Sequence, residues 1–248
     1  IRDYQLDAFV HAMRKQRSVL VSPTASGKSA IIYLMMRLFY ELNRKVLMIV
    51  PTVNLVTQMK QDFEDYAINL ESLPVQEVYA GKSKEIESPI MLSTWQSLQK
   101  LERNFFYNFD TVVVDETHLA TGNTLQKILN YCVNADFRVG LTGTLSGEKV
   151  HEMLLIGSLG EPKKVITTSE LIQSQMLSDL NVKCLILNHK LSSLKMNYQE
   201  EIDYLISHEK RNSYIINLAK RLEGNTLILF NRVESHGVVL FNQIEKEV

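Results

Sequence analysis

Ser22-Pro23-Thr24-Ala25-Ser26-Gly27-Lys28-Ser29 is the stretch on which the fold turns. It follows a short apolar run, Val19-Leu20-Val21, and leads into an apolar, helix-compatible segment over 30–42. Strand, loop and helix in that order are what a phosphate-binding loop requires. In such a loop, backbone N–H groups converge on phosphate oxygens, and the helix N-terminus adds the positive end of its dipole. Thr24, Ala25, Ser26 and Gly27 would form the cradle, Lys28 would reach the β and γ phosphates, and the Ser29 hydroxyl would ligate Mg²⁺. Ser22 stands where the pattern G-x-x-x-x-G-K-[ST] has its first glycine, which is tolerable only if its backbone stays at negative φ.

The rest of the chain sets bounds on that reading. Its 248 residues suit one large or two medium α/β units. An apolar fraction of 45% against 22% charged residues is that of an ordinary globular protein. A net charge of −1 gives no global basic signature, so a nucleic-acid partner would have to meet local patches. Cys132 and Cys184 have apolar neighbours and no metal-ligand spacing, which reads as buried, reduced thiols in a cytosolic protein. No apolar stretch reaches the roughly 18–20 residues that span a membrane, and no signal-peptide pattern is present. A start at Ile, directly on a motif, is expected of a segment cut from a longer protein.

Along the first two-thirds, short apolar runs alternate with helical periodicity. Strands are expected at 18–21, 45–50, 75–79, 90–93, 111–115 and 138–141, with helices at 30–42, 53–66, 96–102, 124–132 and 149–156. Continuous apolar strands spaced by helices indicate a parallel sheet covered on both faces. Ligands then bind at the strand C-termini. A second unit is expected from Thr167 onward, with strands at 181–187 and 225–230, a helical region over 199–222 broken near His208, and a helix over 234–244.

Val112-Val113-Val114-Asp115-Glu116-Thr117-His118 carries the second half of the reading. An apolar strand that delivers adjacent carboxylates to its C-terminal end is what Mg²⁺-assisted phosphoryl transfer needs. Asp115 would help hold the hydrated ion, and Glu116 would orient the attacking water.

Asp115-Glu116-Thr117-His118 resembles the DExH box of superfamily 2 helicases. Other signatures of that family stand in order. Arg2-Asp3-Tyr4-Gln5 resembles its adenine-sensing element, and Pro51-Thr52 with Leu55 and Gln58 its motif Ia. Thr94-Trp95-Gln96-Ser97-Leu98 resembles motif Ib, and Leu141-Thr142-Gly143-Thr144 resembles motif III. His118-Leu119-Ala120-Thr121-Gly122, Tyr198-Gln199-Glu200-Glu201-Ile202 and Lys210-Arg211-Asn212 are similar to the phage UvsW-type branch-migration helicases. Leu229-Phe230-Asn231-Arg232 and Ser235-His236-Gly237 resemble motif IV, at the start of a second motor domain.

The resemblance implies an α/β RecA-like motor domain over 1–166, then a linker and part of a second such domain over 167–248. It implies ATP and Mg²⁺ as cofactors, with Lys28, Asp115 and Glu116 catalytic, Ser29 and Asp115 on the metal, and Arg2 and Gln5 at the base. Thr52 and Thr94 would touch the strand backbone, while His118, Thr142 and Thr144 would couple nucleotide to nucleic acid. A Gln amide can donate and accept at once, as reading an adenine edge requires. Hydroxyls suit phosphate contacts, which position a strand without reading its sequence. Trp95 reads as a core anchor, with base stacking as the alternative.

The implied activity is ATP-dependent remodelling of branched or duplex DNA in recombination, repair or replication, with RNA left open as a partner. A duplex translocase that does not separate strands, or an ATP-switched binding module without turnover, are the alternatives. Two departures from the family pattern stand out. Ala25 replaces a common loop glycine, and motifs V and VI, which carry arginine fingers, have no counterpart before Val248. An arginine finger is worth on the order of 10³–10⁵ in rate, so the segment is expected to bind ATP yet hydrolyse it slowly.

Overall fold

Val46-Leu47-Met48-Ile49-Val50 shows how the sequence builds this architecture. Val46, Met48 and Val50 enter one apolar cluster and Leu47 and Ile49 another. Side chains alternate across a strand, so an uninterrupted apolar run must be covered on both sides. Helices supply both covers. The structure, a computed structural model, describes residues 1–118, 123–145, 148–188 and 196–246.

Helix α1 (Asp3–Lys15) precedes β1 (Arg17–Val21), and α2 (Lys28–Glu41) leads to β2 (Val46–Val50). Next come α3 (Val53–Tyr66), β3 (Val75–Val78), β4 (Ile90–Thr94) and the short helices α4 (Trp95–Leu98) and α5 (Arg103–Phe106). After β5 (Thr111–Val114) follow α6 (Asn123–Tyr131), β6 (Phe137–Thr142), α7 (Lys149–Leu159), β7 (Pro162–Lys164) and α8 (Thr168–Gln173). The seven strands form one sheet in the order β3-β4-β2-β5-β6-β1-β7, and every pairing is parallel. This is the α/β, RecA-like sheet that the alternation of runs implies.

Helices α1, α2 and α3 cover one face through Ala8, Met35, Phe39, Met59 and Phe63. On the other face Leu98, Phe106, Leu129 and Leu159 close the second cluster, with Trp95 packed partly buried against it. Trp95 is thus a core anchor. Each fully buried side chain of this size contributes about 1.5–3 kcal/mol. The expected helix over 96–102 is shorter, running from Trp95 to Leu98 behind the Thr94 cap, because the chain turns at Leu101; α5 lies beyond it.

The chain divides into two compact units, Ile1–Asp179 and Leu180–Val248. In the second, α9 (Tyr198–Ser207) and α10 (Glu209–Arg221) meet at His208, the expected break, where the Nδ1 of His208 accepts the Arg211 N–H at 3.1 Å. A π turn (Val233–Gly237) and α11 (Val238–Glu245) complete its described elements. The strands expected at 181–187 and 225–230 do not form among the described residues, and Cys184, expected to be buried, is exposed. Ile186 and Leu229 are 84% and 85% exposed there. A strand acquires its hydrogen bonds only from a neighbour, so apolar content alone does not make one. Residues 119–122, 146–147, 189–195 and 247–248 lie outside the described set, and with them the resemblance read on Leu119-Ala120-Thr121-Gly122.

Candidate active site

The loop between β1 and α2 takes its shape from its own side chains. Gly27 (φ 78°) and Ala25 (φ 63°) are left-handed, whereas Ser22 is not among the positive-φ residues. Ser22 therefore needs no glycine. Its hydroxyl, fully buried, bonds the Ser26 hydroxyl at 2.7 Å, and Ser26 Oγ reaches Pro23 O at 2.6 Å. The backbone N–H of Ser22 donates to Thr142 O at 2.8 Å, tying the loop to the end of β6. Ser22 departs from the pattern and serves as an internal brace. Ala25 is different, since L-residues pay a steric cost at positive φ.

Helix α1 clamps the loop from outside. Gln5 Nε2 donates to Ser26 O at 3.0 Å, while Gln5 Oε1 accepts the Arg2 N–H at 2.9 Å. Tyr4 donates its hydroxyl to Ser26 O at 2.8 Å and receives Arg2 Nη1 at 2.8 Å. A Cβ at Gly27 would lie 2.4 Å from Gln5 Nε2, so glycine serves both the backbone conformation and the close approach of Gln5. Gln5 Nε2 also reaches Gly27 O at 3.5 Å, so the amide donors are turned toward the loop.

Three catalytic candidates converge beyond the loop. Lys28 Nζ donates to Ser22 O at 3.4 Å and stands 3.8 Å from Glu116 Oε1. Asp115 is 9% exposed, and its Oδ1 accepts the Glu116 N–H at 2.9 Å. Burial first, and the neighbouring Glu116 carboxylate second, push the Asp115 carboxyl up to about 6. Glu116 itself sits at φ 51°, an uncommon conformation of the kind that concentrates at functional sites.

Glu116 does not end the chain of contacts. Its Oε2 lies 3.3 Å from His118 Nδ1, which lies 3.1 Å from Thr142 Oγ1. Thr142 Oγ1 donates to Thr144 O at 2.8 Å. With the Thr142 proton so directed, His118 carries its hydrogen on Nδ1, facing two acceptors. Thr117 fits beneath because residue 140 is glycine: a Cβ there would lie 2.5 Å from Thr117 Cγ2. Lys28, Glu116, His118, Thr142 and Thr144 thus form one continuous line across the ends of β5, β6 and the loop.

The remaining candidates lie along the same sheet edge. Thr52 lies two residues beyond the end of β2 and caps α3, accepting the Leu55 N–H at 3.3 Å. Thr94 ends β4 and caps α4, accepting the Ser97 N–H at 3.3 Å; it is 3% exposed, so its hydroxyl is occupied by the cap. Ser29, at the first turn of α2, meets the Tyr66 hydroxyl at 2.9 Å. No local pattern points to Tyr66, because it lies 37 positions from its partner.

The residues present fit a nucleoside triphosphate and Mg²⁺. The loop opens on the N-terminus of a 14-residue helix. Beside it two adjacent carboxylates crowd each other, with Lys28 as the nearby cation, and a divalent ion would relieve that repulsion. Among the described residues no helix is long and apolar enough to cross a membrane.

Comparison with known proteins agrees. The family model for the res subunit of type III restriction enzymes matches residues 1–147. The ATP-dependent DNA helicase uvsW of Enterobacteria phage T4 is 34% identical over 239 residues, covering 92% of this chain and 47% of the relative. A crystal structure of T4 UvsW superposes with a TM-score of 0.60 at 31% identity, covering 99% of this chain and 50% of that one. The DNA 3'-5' translocase XPB2 of Sulfurisphaera tokodaii is 24% identical over 168 residues, 66% of this chain and 36% of the relative. The chain therefore spans half or less of the length of these relatives. It belongs to the family of the type III restriction enzyme res subunit, among the DExH-box helicases of superfamily 2.

Proposed function

We propose that this chain is the nucleotide-binding part of an ATP-driven DNA motor that remodels branched DNA in recombination, repair or replication. The observation that carries the reading is the unbroken line Lys28–Glu116–His118–Thr142–Thr144. It joins a phosphate-binding lysine to a water-activating carboxylate and then to the end of the neighbouring strand. A bare phosphate binder has no need of such a line. The likeness to the ATP-dependent DNA helicase uvsW supports DNA as the substrate.

The roles follow from the chemistry. ATP and Mg²⁺, when bound, supply the scissile phosphoanhydride and the charge neutralisation that phosphoryl transfer needs. Lys28 holds the terminal phosphates, and Ser29 and Asp115 hold the ion. Glu116 orients a water and takes its proton, with His118 Nδ1 steadying the carboxylate from the other side. Arg2 and Gln5 meet the base, while the loop residues Thr24, Ala25, Ser26 and Gly27 offer backbone N–H groups. Thr52 and Thr94 serve a DNA backbone through the N-termini they cap, since their hydroxyls already accept backbone N–H groups.

Residues 1–166 act as the first motor domain, and 167–248 as linker and part of a second. The segment alone turns over slowly, for want of an arginine finger. A motor of this kind, if a phage encodes it, works in the cytoplasm of its host. In the full-length protein, Glu116→Gln should lower DNA-stimulated phosphate release by about 10²–10⁴-fold while leaving ATP binding intact. Unchanged turnover would remove Glu116 from catalysis. A strand-displacement assay on a branched substrate separates remodelling from translocation alone, and ATPase without displacement would favour the latter.

A further inference from the structure

The bond between Ser29 Oγ and Tyr66 Oη, 2.9 Å long, joins two elements that the roles assigned above leave unconnected. Ser29 opens α2 as a ligand of the metal. Tyr66 is the last residue of α3, the helix whose N-terminus Thr52 caps at the DNA edge. Resting on the reading of this site as a Mg²⁺-nucleotide site, we propose that Tyr66 is a positioning residue for the metal-binding hydroxyl and links that hydroxyl to α3.

A serine hydroxyl has one proton and two lone pairs. A metal ligand must present a lone pair, so its proton needs an acceptor elsewhere. Tyr66 Oη can accept it, leaving both lone pairs of Ser29 free for the ion. The phenol is well suited to hold this geometry. Its ring packs against Tyr33 at a centroid distance of 5.6 Å, and Tyr33 packs in turn on Phe63 at 6.0 Å. Tyr33 and Ser29 lie one turn apart on α2, and Phe63 and Tyr66 one turn apart on α3, so the aromatic contacts fix the two helices where the hydroxyls meet. Burial does not force the bond, because Tyr66 is 38% exposed and water could satisfy it. Any displacement of Ser29 on metal binding is felt at the last turn of α3, and α3 is a rigid rod of 14 residues.

The test is Tyr66→Phe in the 248-residue chain, which keeps the ring packing and removes only the hydroxyl. Binding of a fluorescent ATP analogue is titrated with Mg²⁺ and, separately, in excess chelator. The Mg²⁺ concentration for half-maximal binding should rise about fivefold, the weight of one ordinary hydrogen bond. Metal-free binding and the melting temperature should be unchanged, and in a Ser29→Ala background the Tyr66→Phe effect should vanish. Equal weakening with and without metal, or an effect that persists in Ser29→Ala, would make Tyr66 merely structural and overturn the proposal. An unchanged Mg²⁺ titration in Tyr66→Phe would overturn it while leaving the nucleotide reading standing. Failure of the unaltered chain to bind the analogue at all would overturn both.

Discussion

The unit Ile1–Asp179 and the unit Leu180–Val248 are built from similar sequence and end in different states. Val46-Leu47-Met48-Ile49-Val50 in the first, and Leu185-Ile186-Leu187 or Leu227-Ile228-Leu229 in the second, are comparably apolar. The first lies between β4 and β5 and is buried throughout. The others form no strand among the described residues, and Ile186 and Leu229 stand almost fully exposed. Helices behave otherwise. The break at His208 and the flanking helices α9 and α10 form as expected, because a helix satisfies its backbone within itself and its caps lie three residues away. Asn197 and Glu200 make a reciprocal cap on α9 from local sequence alone. Local order survives without partners, whereas strand order does not.

The steepest test of that contrast is a matched pair of truncations. Phe39→Ala empties a fully buried site in the first unit and should cost about 3–5 kcal/mol in urea unfolding. Leu229→Ala, at 85% exposure, should stay within about 0.5 kcal/mol. A comparable cost for Leu229 would show that its segment is packed in solution, and the contrast would fail.

A smaller effect sharpens the contrast from inside the completed unit, where function overrides stability. Asp115 has its carboxyl raised from 3.8 to about 6, chiefly by burial. The folded state therefore binds this proton more tightly than the unfolded state. Its share of stability is present below the unfolded value and is lost as pH rises through the folded one. Asp115→Asn removes the charge and should be more stable than the native chain by about 2 kcal/mol at pH 7.5, converging with it near pH 4. Parallel stability curves across that range would contradict the assigned burial. The same variant should lose Mg²⁺-dependent hydrolysis.

The smallest effect concerns Ala25 at φ 63°. Glycine relieves roughly 1 kcal/mol of strain there but gains unfolded-state entropy. Ala25→Gly should therefore raise stability by about 0.5 kcal/mol, read as a small upward shift in melting temperature. A loss of stability would mean the side chain makes contacts that outweigh the strain.

Much of the site was legible because its spacing is local. The loop at 22–29, the carboxylates at the end of a valine run, and Thr142 to Thr144 each announce themselves within a few residues. What was illegible depended on distant partners. Ser22 read as an irregularity until its hydroxyl met Ser26. The hydroxyl of Thr94 read as a free phosphate contact until it proved to be a buried cap. Gln5 read as a base sensor alone, and in the fold it also braces the phosphate loop. The strands at 181–187 and 225–230 failed for the same reason, since pattern specifies a side chain's preference and not whether a neighbour is present.

By itself the sequence determined the alternation of strands and helices, the parallel class of the sheet and the residues able to handle a phosphate. Those are consequences of periodicity and of short-range chemistry, which a chain carries wherever it goes. Only the tertiary structure decided the strand order that sets Asp115 and Thr142 on adjacent strands, the line from Lys28 to Thr144, and the meeting of Ser29 with Tyr66. Hydrogen bonds and charge interactions act over a few ångströms, so which groups they join is fixed by how the chain returns on itself rather than by any one stretch of it.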